Sequence, residues 1–266
     1  MNCITSFTPT LCRVLNVAPP TLSAAETLAG VVRIAAPAFD GAPAEKCLIY
    51  APDAIGLDLY REHASLFEPA REHAPFEVPL RAVYPPKTPV CFASMFTGAL
   101  PEAHGIRRYE QPVLRCDTLF DALIRAGVRV AIVAAGGSSI DLIFRGREVD
   151  YFSEKYDPEV TSRTVELLAA AGHDVVVAYH QEYDDALHDT TPRSARALRA
   201  LKNHVESFVT LAKAAAQSWR QFNHLIAFTP DHGAHVDVDT GRGAHGDDVD
   251  EDMTVMHLYG AAPGSV

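Results

Sequence analysis

Aspartate and histidine side chains that could bind a metal ion follow an apolar run at residues 225–228. Asp231 and His232 come shortly after that run, behind Pro230, and His245 follows in a glycine-rich segment. A short apolar run closed by proline and glycine suits a central strand of a parallel sheet. In open α/β sheets, ligands bind beyond the carboxyl ends of the strands. These nitrogen and oxygen donors are therefore a candidate metal site.

Two other predicted strands are followed by the same types of donor. Asp53 follows the strand predicted at residues 47–51, and Asp184 and His188 follow the one predicted at 175–179. A spacing of four places the last two side chains on one face of a helical turn, where both can reach one ion. Each piece alone also fits a solvated turn or a helix cap. Their joint position after successive strands favours metal binding.

Thr88 stands at the start of a segment with the marks of a helix, residues 87–98. Thr88 is a good N-cap residue, Pro89 fits the first helical position, and Gly98 fits the position after the last turn. On these residues alone, Thr88 is an N-cap.

Strands and helices alternate regularly over most of the chain. This pattern predicts an α/β fold with a doubly wound, mostly parallel sheet and helices on both faces. The predicted strands are at residues 47–51, 78–84, 128–135, 175–179, 225–228 and 253–259, and the predicted helices at 57–74, 87–98, 117–126, 157–171 and 193–221. The length suits a single domain over residues 1–266. Residues 1–44 show little periodicity, and we expect a peripheral segment that wraps the domain edge or forms a short hairpin.

Composition limits the classes of partner. The formal net charge of −11 argues against a basic face that binds nucleic acid. The five cysteines are widely spaced and suit reduced thiols of a cytosolic protein rather than a disulfide framework or a paired zinc pattern. The first ten residues lack the pattern of a secretion signal, and no apolar run reaches the length of a membrane span. We therefore expect a cytoplasmic protein without membrane contact, and the sequence makes no prediction of its oligomeric state.

Four short motifs lie around these residues. They are Pro-Asp-Ala-Ile-Gly at 52–56, the segment from Lys-Thr-Pro to Ala-His-Gly-Ile at 87–106, the segment with Asp-x-x-x-His at 179–188, and Pro-Asp-His-Gly at 230–233 with Ala-His-Gly at 244–246. Together they resemble the alkaline phosphatase superfamily and, within it, the type I phosphodiesterase and nucleotide pyrophosphatase branch. The motifs occur in the family's order, and the resemblance spans roughly residues 45 to 260.

The resemblance implies two metal ions and a nucleophilic threonine. One ion would be bound by Asp184, His188 and His245, the second by Asp53, Asp231 and His232, with Thr88 as the nucleophile that faces both. This mixture of imidazole and carboxylate ligands suits Zn²⁺ best, with Mn²⁺ as the other candidate. The branch also has an asparagine three residues after the nucleophile, where this chain has Cys91.

The implied function is metal-dependent hydrolysis of a small-molecule phosphate monoester, phosphate diester or phosphonate ester through a phospho-threonine intermediate. Two alternatives remain on the same fold. One is a phosphoryl-transfer mutase, and the other is a catalytically silent domain that binds metal or a partner. Four basic side chains near the nucleophile are either substrate contacts or ordinary surface and structural residues: Lys87, His104, Arg107 and Arg108.

Overall fold

The computed structural model describes residues 1–265 of the chain. Its strands are β1 (Asn2–Cys3), β2 (Lys46–Pro52), β3 (Phe76–Arg81), β4 (Val130–Ala135), β5 (Asp150–Glu154), β6 (Val175–His180), β7 (His224–Phe228), β8 (His235–Val236), β9 (Gly243–Ala244) and β10 (Thr254–Ala262). Its α-helices are α1 (Phe7–Val14), α2 (Ala29–Ala38), α3 (Leu57–Glu62), α4 (Glu68–Arg71), α5 (Thr88–Thr97), α6 (Pro101–His104), α7 (Leu119–Arg125), α8 (Ser139–Ile143), α9 (Asp157–Ala170), α10 (Glu182–Asp189), α11 (Ala195–Ser218) and α12 (Asp250–Met253). Within the described residues, none of these helices combines the length and the apolar character that crossing a membrane requires.

The main sheet contains eight of the strands described, in the order β1-β3-β10-β7-β2-β6-β4-β5. β2 pairs in parallel with both β6 and β7, and β4 pairs in parallel with β5 and β6. β10 is the exception, since it runs antiparallel to both β3 and β7. β8 and β9 form a separate antiparallel pair. The predicted α/β fold with a mostly parallel sheet is confirmed.

Alternate side chains of β2 show how the sheet divides the core into two layers. Cys47, Ile49 and Ala51 pack in the layer that contains α5, while Leu48 and Tyr50 pack in the layer that contains α11. All five side chains are fully buried. A strand covered by helices on both faces needs apolar residues at every position, which is why a continuous apolar run predicted it correctly.

Residues 1–44 contain two α-helices, so of the two arrangements expected for this segment the short hairpin is wrong. β1 pairs in parallel with β3, and α1 packs against α5. Phe7 and Leu11 of α1 are four residues apart and fully buried, and Thr8 Oγ1 donates to the carbonyl of Met95 at 2.6 Å. The helical spacing was missed because three residues of low helix propensity, Thr-Pro-Thr, separate the two apolar side chains. The assignment of residues 1–266 to a single domain stays a prediction.

Other stretches also differ from the prediction. Residues 57–74, predicted as one helix, form α3 and α4 with a 3₁₀ turn at Ala64–Phe67 between them. β5 was not predicted from the sequence. It lies at an edge of the sheet and leaves most of its residues partly or fully exposed, so it lacks the apolar run that marks the central strands.

Candidate metal centre

The six donors named from the sequence meet beyond the carboxyl ends of three neighbouring strands. β7, β2 and β6 are adjacent and parallel, so the residues that follow them lie side by side. The donor atoms form two groups, and within each group they lie within 4.8 Å of one another. The first group is Asp184, His188 and His245, and the second group is Asp53, Asp231 and His232. The structure thus brings together the same two sets of side chains that the resemblance implied.

The first group is built on α10 and on the loop after β9. His188 Nε2 and His245 Nε2 each lie 3.3 Å from Asp184 Oδ1. That oxygen is buried and has no hydrogen-bond partner within residues 1–265. A buried carboxylate oxygen that faces two imidazole nitrogens without a hydrogen bond fits a metal-binding position.

The second group follows β2 and β7 directly. His232 Nε2 is 3.5 Å from Asp53 Oδ1 and 3.4 Å from Asp231 Oδ2. Asp231 Oδ2 is also buried without a hydrogen-bond partner in the described part of the chain. The rings of His232 and His245 stack with their centroids 4.1 Å apart, so the two groups are immediate neighbours. Both can therefore reach one small ligand.

Backbone carbonyls orient all three imidazoles of the two groups. Each Nδ1 lies 3.0 Å from a carbonyl oxygen, with the pairs His188–Gly243, His232–Gly233 and His245–Pro86. A carbonyl only accepts, so each Nδ1 carries the proton and, in the neutral ring, each Nε2 presents a lone pair. Those lone pairs face carboxylate oxygens. Acceptors that face acceptors repel unless a cation lies between them, so these residues fit bound metal ions.

The pKa values of the three carboxylates shift in different directions. Burial raises the pKa of Asp53 and of Asp231 well above the ordinary value, and neighbouring carboxylates add to the rise. Burial also opposes ionisation of Asp184, but the favourable effect of the neighbouring imidazoles of His188 and His245 brings its pKa below the ordinary value. Three buried carboxylates repel one another, and cations bound among them would relieve that repulsion.

Thr88 is buried, and its hydroxyl points into the second group rather than capping a helix. Oγ1 donates to Asp53 Oδ1 at 3.3 Å and lies 3.4 Å from His232 Nε2. α5 begins at Thr88, its N-cap residue is Lys87, and no side-chain cap bond forms. The N-cap interpretation of Thr88 is therefore wrong, whereas Gly98 does end α5 in a left-handed conformation with φ of 70°. The hydroxyl is free of a structural role in the helix.

A comparison with family models identifies the chain. The model described as type I phosphodiesterase / nucleotide pyrophosphatase matches residues 66–259. The chain belongs to this family. The family is metal-dependent, which agrees with the two groups of donors. The expected membership of a family of phosphoester hydrolases is confirmed. No curated protein matches the chain significantly.

Solved structures of similar fold include phosphonoacetate hydrolase of Sinorhizobium meliloti in complex with phosphonoformate, with a TM-score of 0.55 and 20% identity. That match covers 75% of this chain and 60% of the other. An inactive murine ectonucleotide pyrophosphatase/phosphodiesterase 5 in complex with AMP gives a TM-score of 0.59 at 18% identity, over 74% of this chain and 59% of the other. The matches thus span less than two thirds of these proteins. At such identities they support the alkaline-phosphatase-like fold.

Two residues that sequence reasoning missed support this phosphodiesterase-family site. The Tyr179 hydroxyl donates to Asp53 Oδ2 from the end of β6. Asp252 is fully buried and accepts from the amides of the two residues after His245, at 2.8 and 3.0 Å. Its other oxygen lies 2.8 Å from His235 Nδ1, beside the second group. Tyr179 could have been predicted, because it is a polar aromatic residue at the end of a strand. Asp252 could not, because it lies in an acidic run typical of solvent-exposed residues.

The four basic candidates for substrate contact are engaged in other interactions. Lys87 Nζ donates to the carbonyl of His245. The buried His104 ring bonds Ser94 Oγ at 2.8 Å and accepts from the amide of Ile106 at 3.3 Å, so its role is structural. Two arginines bond residues close by in sequence, Arg107 to the Glu102 carbonyl at 3.2 Å and Arg108 to Glu110 at 3.0 Å.

Cys91 lies one turn into α5, at the place where the resemblance implies an asparagine. Its side chain is fully buried, and Sγ lies 3.9 Å from the carbonyl of Val83. Burial, with a smaller effect of the Asp231 charge, raises the pKa of this thiol well above its ordinary value. The protonated thiol is a poor nucleophile and a weak hydrogen-bond donor, which leaves Thr88 as the hydroxyl at the centre.

Proposed function

We propose that this chain is a two-metal hydrolase of phosphate or phosphonate esters in which Thr88 is the nucleophile. The observation that carries the proposal is the contact of the buried Thr88 hydroxyl with Asp53 and His232. The His232 ring in turn stacks on His245 of the first group. A free hydroxyl at the junction of two sets of metal-binding side chains is the arrangement that an activated nucleophile requires.

Six side chains would hold the ions in the proposed enzyme. Asp184, His188 and His245 would bind one ion, and Asp53, Asp231 and His232 the other, with Zn²⁺ or Mn²⁺ as the suited metals. Two divalent ions at these positions would supply Lewis acidity and outweigh the three carboxylates by about one positive charge, which attracts a phosphoryl group to an otherwise acidic protein.

Thr88 would then lose its Oγ1 proton and form a bond from Oγ1 to phosphorus while the bond from phosphorus to the leaving oxygen breaks, and the leaving group would take up a proton and depart as an alcohol. Hydrolysis of the phospho-threonine by water returns the hydroxyl. Two features of the chain assist the step. α5 directs the positive end of its dipole toward the phosphoryl group, and the Tyr179 hydroxyl holds Asp53 in place through its other oxygen.

The ligands of the similar structures support this choice of substrate. Phosphonoformate and AMP both carry a phosphorus group with several anionic oxygens. We therefore propose a small phosphorus ester as the substrate.

Activity assays on metal-free protein test the proposal. We expect no turnover after chelation and recovery with Zn²⁺ or Mn²⁺, in a panel of a phosphate monoester, a phosphate diester, a phosphonate ester and a sulfate ester. Release of free phosphate or alcohol distinguishes hydrolysis from a mutase, which would return the phosphoryl group to an acceptor. Protein that holds two ions yet cleaves no ester in the panel would instead be a silent metal-binding domain.

A further inference from the structure

A polar cavity of about 200 Å³ adjoins Thr88 and one carboxylate of each metal-binding group. Other parts of its wall are Tyr109, Gln181 and Asp185. Small-molecule sites are typically about 300–1,000 Å³, so this cavity is small for a ligand site. The cavity therefore fits a phosphoryl group with a substituent of only a few atoms.

Negative charge dominates the wall of this cavity. Among its described residues the charged side chains are three aspartates, and none is basic. Asp53 and Asp184 belong to the metal-binding groups, so their charge is balanced when ions bind. Asp185 belongs to neither group. Its carboxylate is the charge that a substrate would meet beyond the phosphoryl position.

Arginines of adjoining segments do not neutralise Asp185. Arg108 pairs with Glu110 at 3.0 Å, and Arg145 pairs with Asp141. A substituent that enters the cavity therefore meets Asp185 without a compensating cation.

Asp185 is held in place through one of its two oxygens. Oδ2 accepts from the Tyr156 hydroxyl at 2.6 Å and from Gln181 Nε2 at 3.2 Å. Both of the side-chain hydrogen bonds that Asp185 accepts within residues 1–265 go to Oδ2, which leaves Oδ1 open where the side chain lines the cavity. A fixed carboxylate with an open acceptor oxygen suits a ligand group that is cationic and only donates, as an ammonium does.

We propose that Asp185 binds an ammonium group on the leaving part of the substrate, so that the site selects compact aminoalkyl phosphate esters. The inference rests on the proposed function and adds the class of leaving group to it. A carboxylate or a second phosphate at the same place would face Asp185 with like charge and would be rejected.

Three phosphate monoesters of similar length test the inference: 2-aminoethyl phosphate, 2-hydroxyethyl phosphate and carboxymethyl phosphate. With metal-loaded protein we expect kcat/KM to be highest for the aminoethyl ester and to exceed that of the carboxymethyl ester by on the order of tenfold or more. Because the preference is electrostatic, the ratio should fall as ionic strength rises. This salt dependence needs no variant.

Variants at one position locate the preference. Asp185→Asn keeps an acceptor for Tyr156 and should bring the ratio of kcat/KM between the aminoethyl and carboxymethyl esters close to one. Asp185→Lys should reverse the preference. Glu182→Gln is the matched control, because it removes another carboxylate of the same helix. Glu182 accepts from Asn203 at 3.0 Å and does not line the cavity. That control should keep the wild-type ratio. Metal content of each variant is measured in parallel.

Several results would overturn the inference. One is a neutral or anionic ester that is cleaved as efficiently as the aminoethyl ester, and another is a preference that survives in Asp185→Asn. If larger esters are cleaved and these three are not, the inference fails and the proposed hydrolase stands. If metal-loaded protein cleaves no ester, the proposed function itself fails.

Discussion

At the scale of single residues, variants of Thr88 show whether this residue is the nucleophile or only a structural residue. Thr88→Ala removes Oγ1 but none of the six carboxylate and imidazole donors. We expect both ions to stay bound while hydrolysis falls by on the order of 10³-fold or more, as for loss of a nucleophile. Thr88→Ser keeps a hydroxyl and should retain substantial activity. Single-turnover hydrolysis and elemental analysis of the two variants measure these outcomes.

The melting temperature of Thr88→Ala tests the role of this residue independently of activity. Loss of an N-cap costs roughly 1 kcal/mol, but Thr88 makes no cap bond, so its alanine variant should melt close to the wild-type temperature. An alanine variant that still hydrolyses ester at the wild-type rate would show that another group attacks phosphorus, and the phospho-threonine would have to be abandoned.

The two groups of donors predict selective loss of metal. His188→Ala should release mainly the ion of the first group, and His232→Ala mainly that of the second, because each imidazole contacts carboxylates of its own group. Elemental analysis after dialysis counts the ions that remain. His63→Ala, which changes a histidine outside both groups, is the control and should keep both ions. Two ions retained in both His188→Ala and His232→Ala would contradict the assignment of ligands.

At the scale of elements, α10 depends on a carboxylate from another helix. Asp157 accepts from the amide of Gln181 at 3.0 Å and from the amide of Glu182 at 2.9 Å, where α10 begins. These amides are the unpaired donors of a helix start, and a carboxylate there stabilises the helix. α10 carries Asp184 and His188, so Asp157 positions two of the three donors of the first group without being one of them.

Asp157→Ala should therefore weaken metal binding at the first group selectively. We expect a loss of about 10-fold or more in affinity there, as for other residues that support ligands, with the second group little changed. Thr118→Ala is the matched control, since it removes the capping box of α7, which carries no donor of the site. Metal titrations that showed equal weakening in both variants would mean that general destabilisation, rather than positioning, explains the effect.

The sequence could predict the elements that bury their whole surface. The strands predicted at 47–51, 175–179 and 225–228 lie within β2, β6 and β7, because continuous apolar runs mark strands covered on both faces. Once these strands are predicted in a parallel sheet, the donors that follow them are predicted at the same edge of that sheet. β5 buries little and carries no such run, so it was missed.

Contacts between distant segments could not be predicted. Asp157 and Asp252 each have acidic neighbours in sequence, and nothing local distinguishes the carboxylate that turns inward from those that face water. Their roles depend on amides that lie near them only after folding, such as those of Gln181 and Gly246. The same limit applies to Thr88, whose sequence position fits a cap while its hydroxyl faces Asp53 instead.

At the scale of the whole molecule, buried histidines make the fold sensitive to acid. Burial lowers the pKa of His204 to about 3 and that of His257 to about 4, both from an ordinary value of 6.5. The folded protein keeps these rings neutral, while the unfolded chain takes up protons below about pH 6.5. Stability is therefore fully present above that pH and falls as the pH drops toward 4.

His204→Gln measures the share of one ring. His204 Nδ1 lies 2.9 Å from the Tyr50 hydroxyl, and its Nε2 accepts from the amide of Tyr183 at 3.0 Å. We expect the variant to be less stable at pH 7 but to lose less stability between pH 6 and pH 4, by up to about 1.4 kcal/mol for each pH unit. Urea unfolding of metal-free protein across this range gives the slope. An unchanged slope would show that His204 does not contribute to the acid sensitivity.

The position of β10 sets an order of events during synthesis on the ribosome. β10 lies between β3 and β7 in the sheet and is translated after both, so a nascent chain that ends before Thr254 has no strand to join them. Until β10 emerges, β3 with β1 is separate from the five strands that begin with β7, and both pieces expose unpaired edges. The two parts of the sheet are therefore joined only after this late segment has been translated.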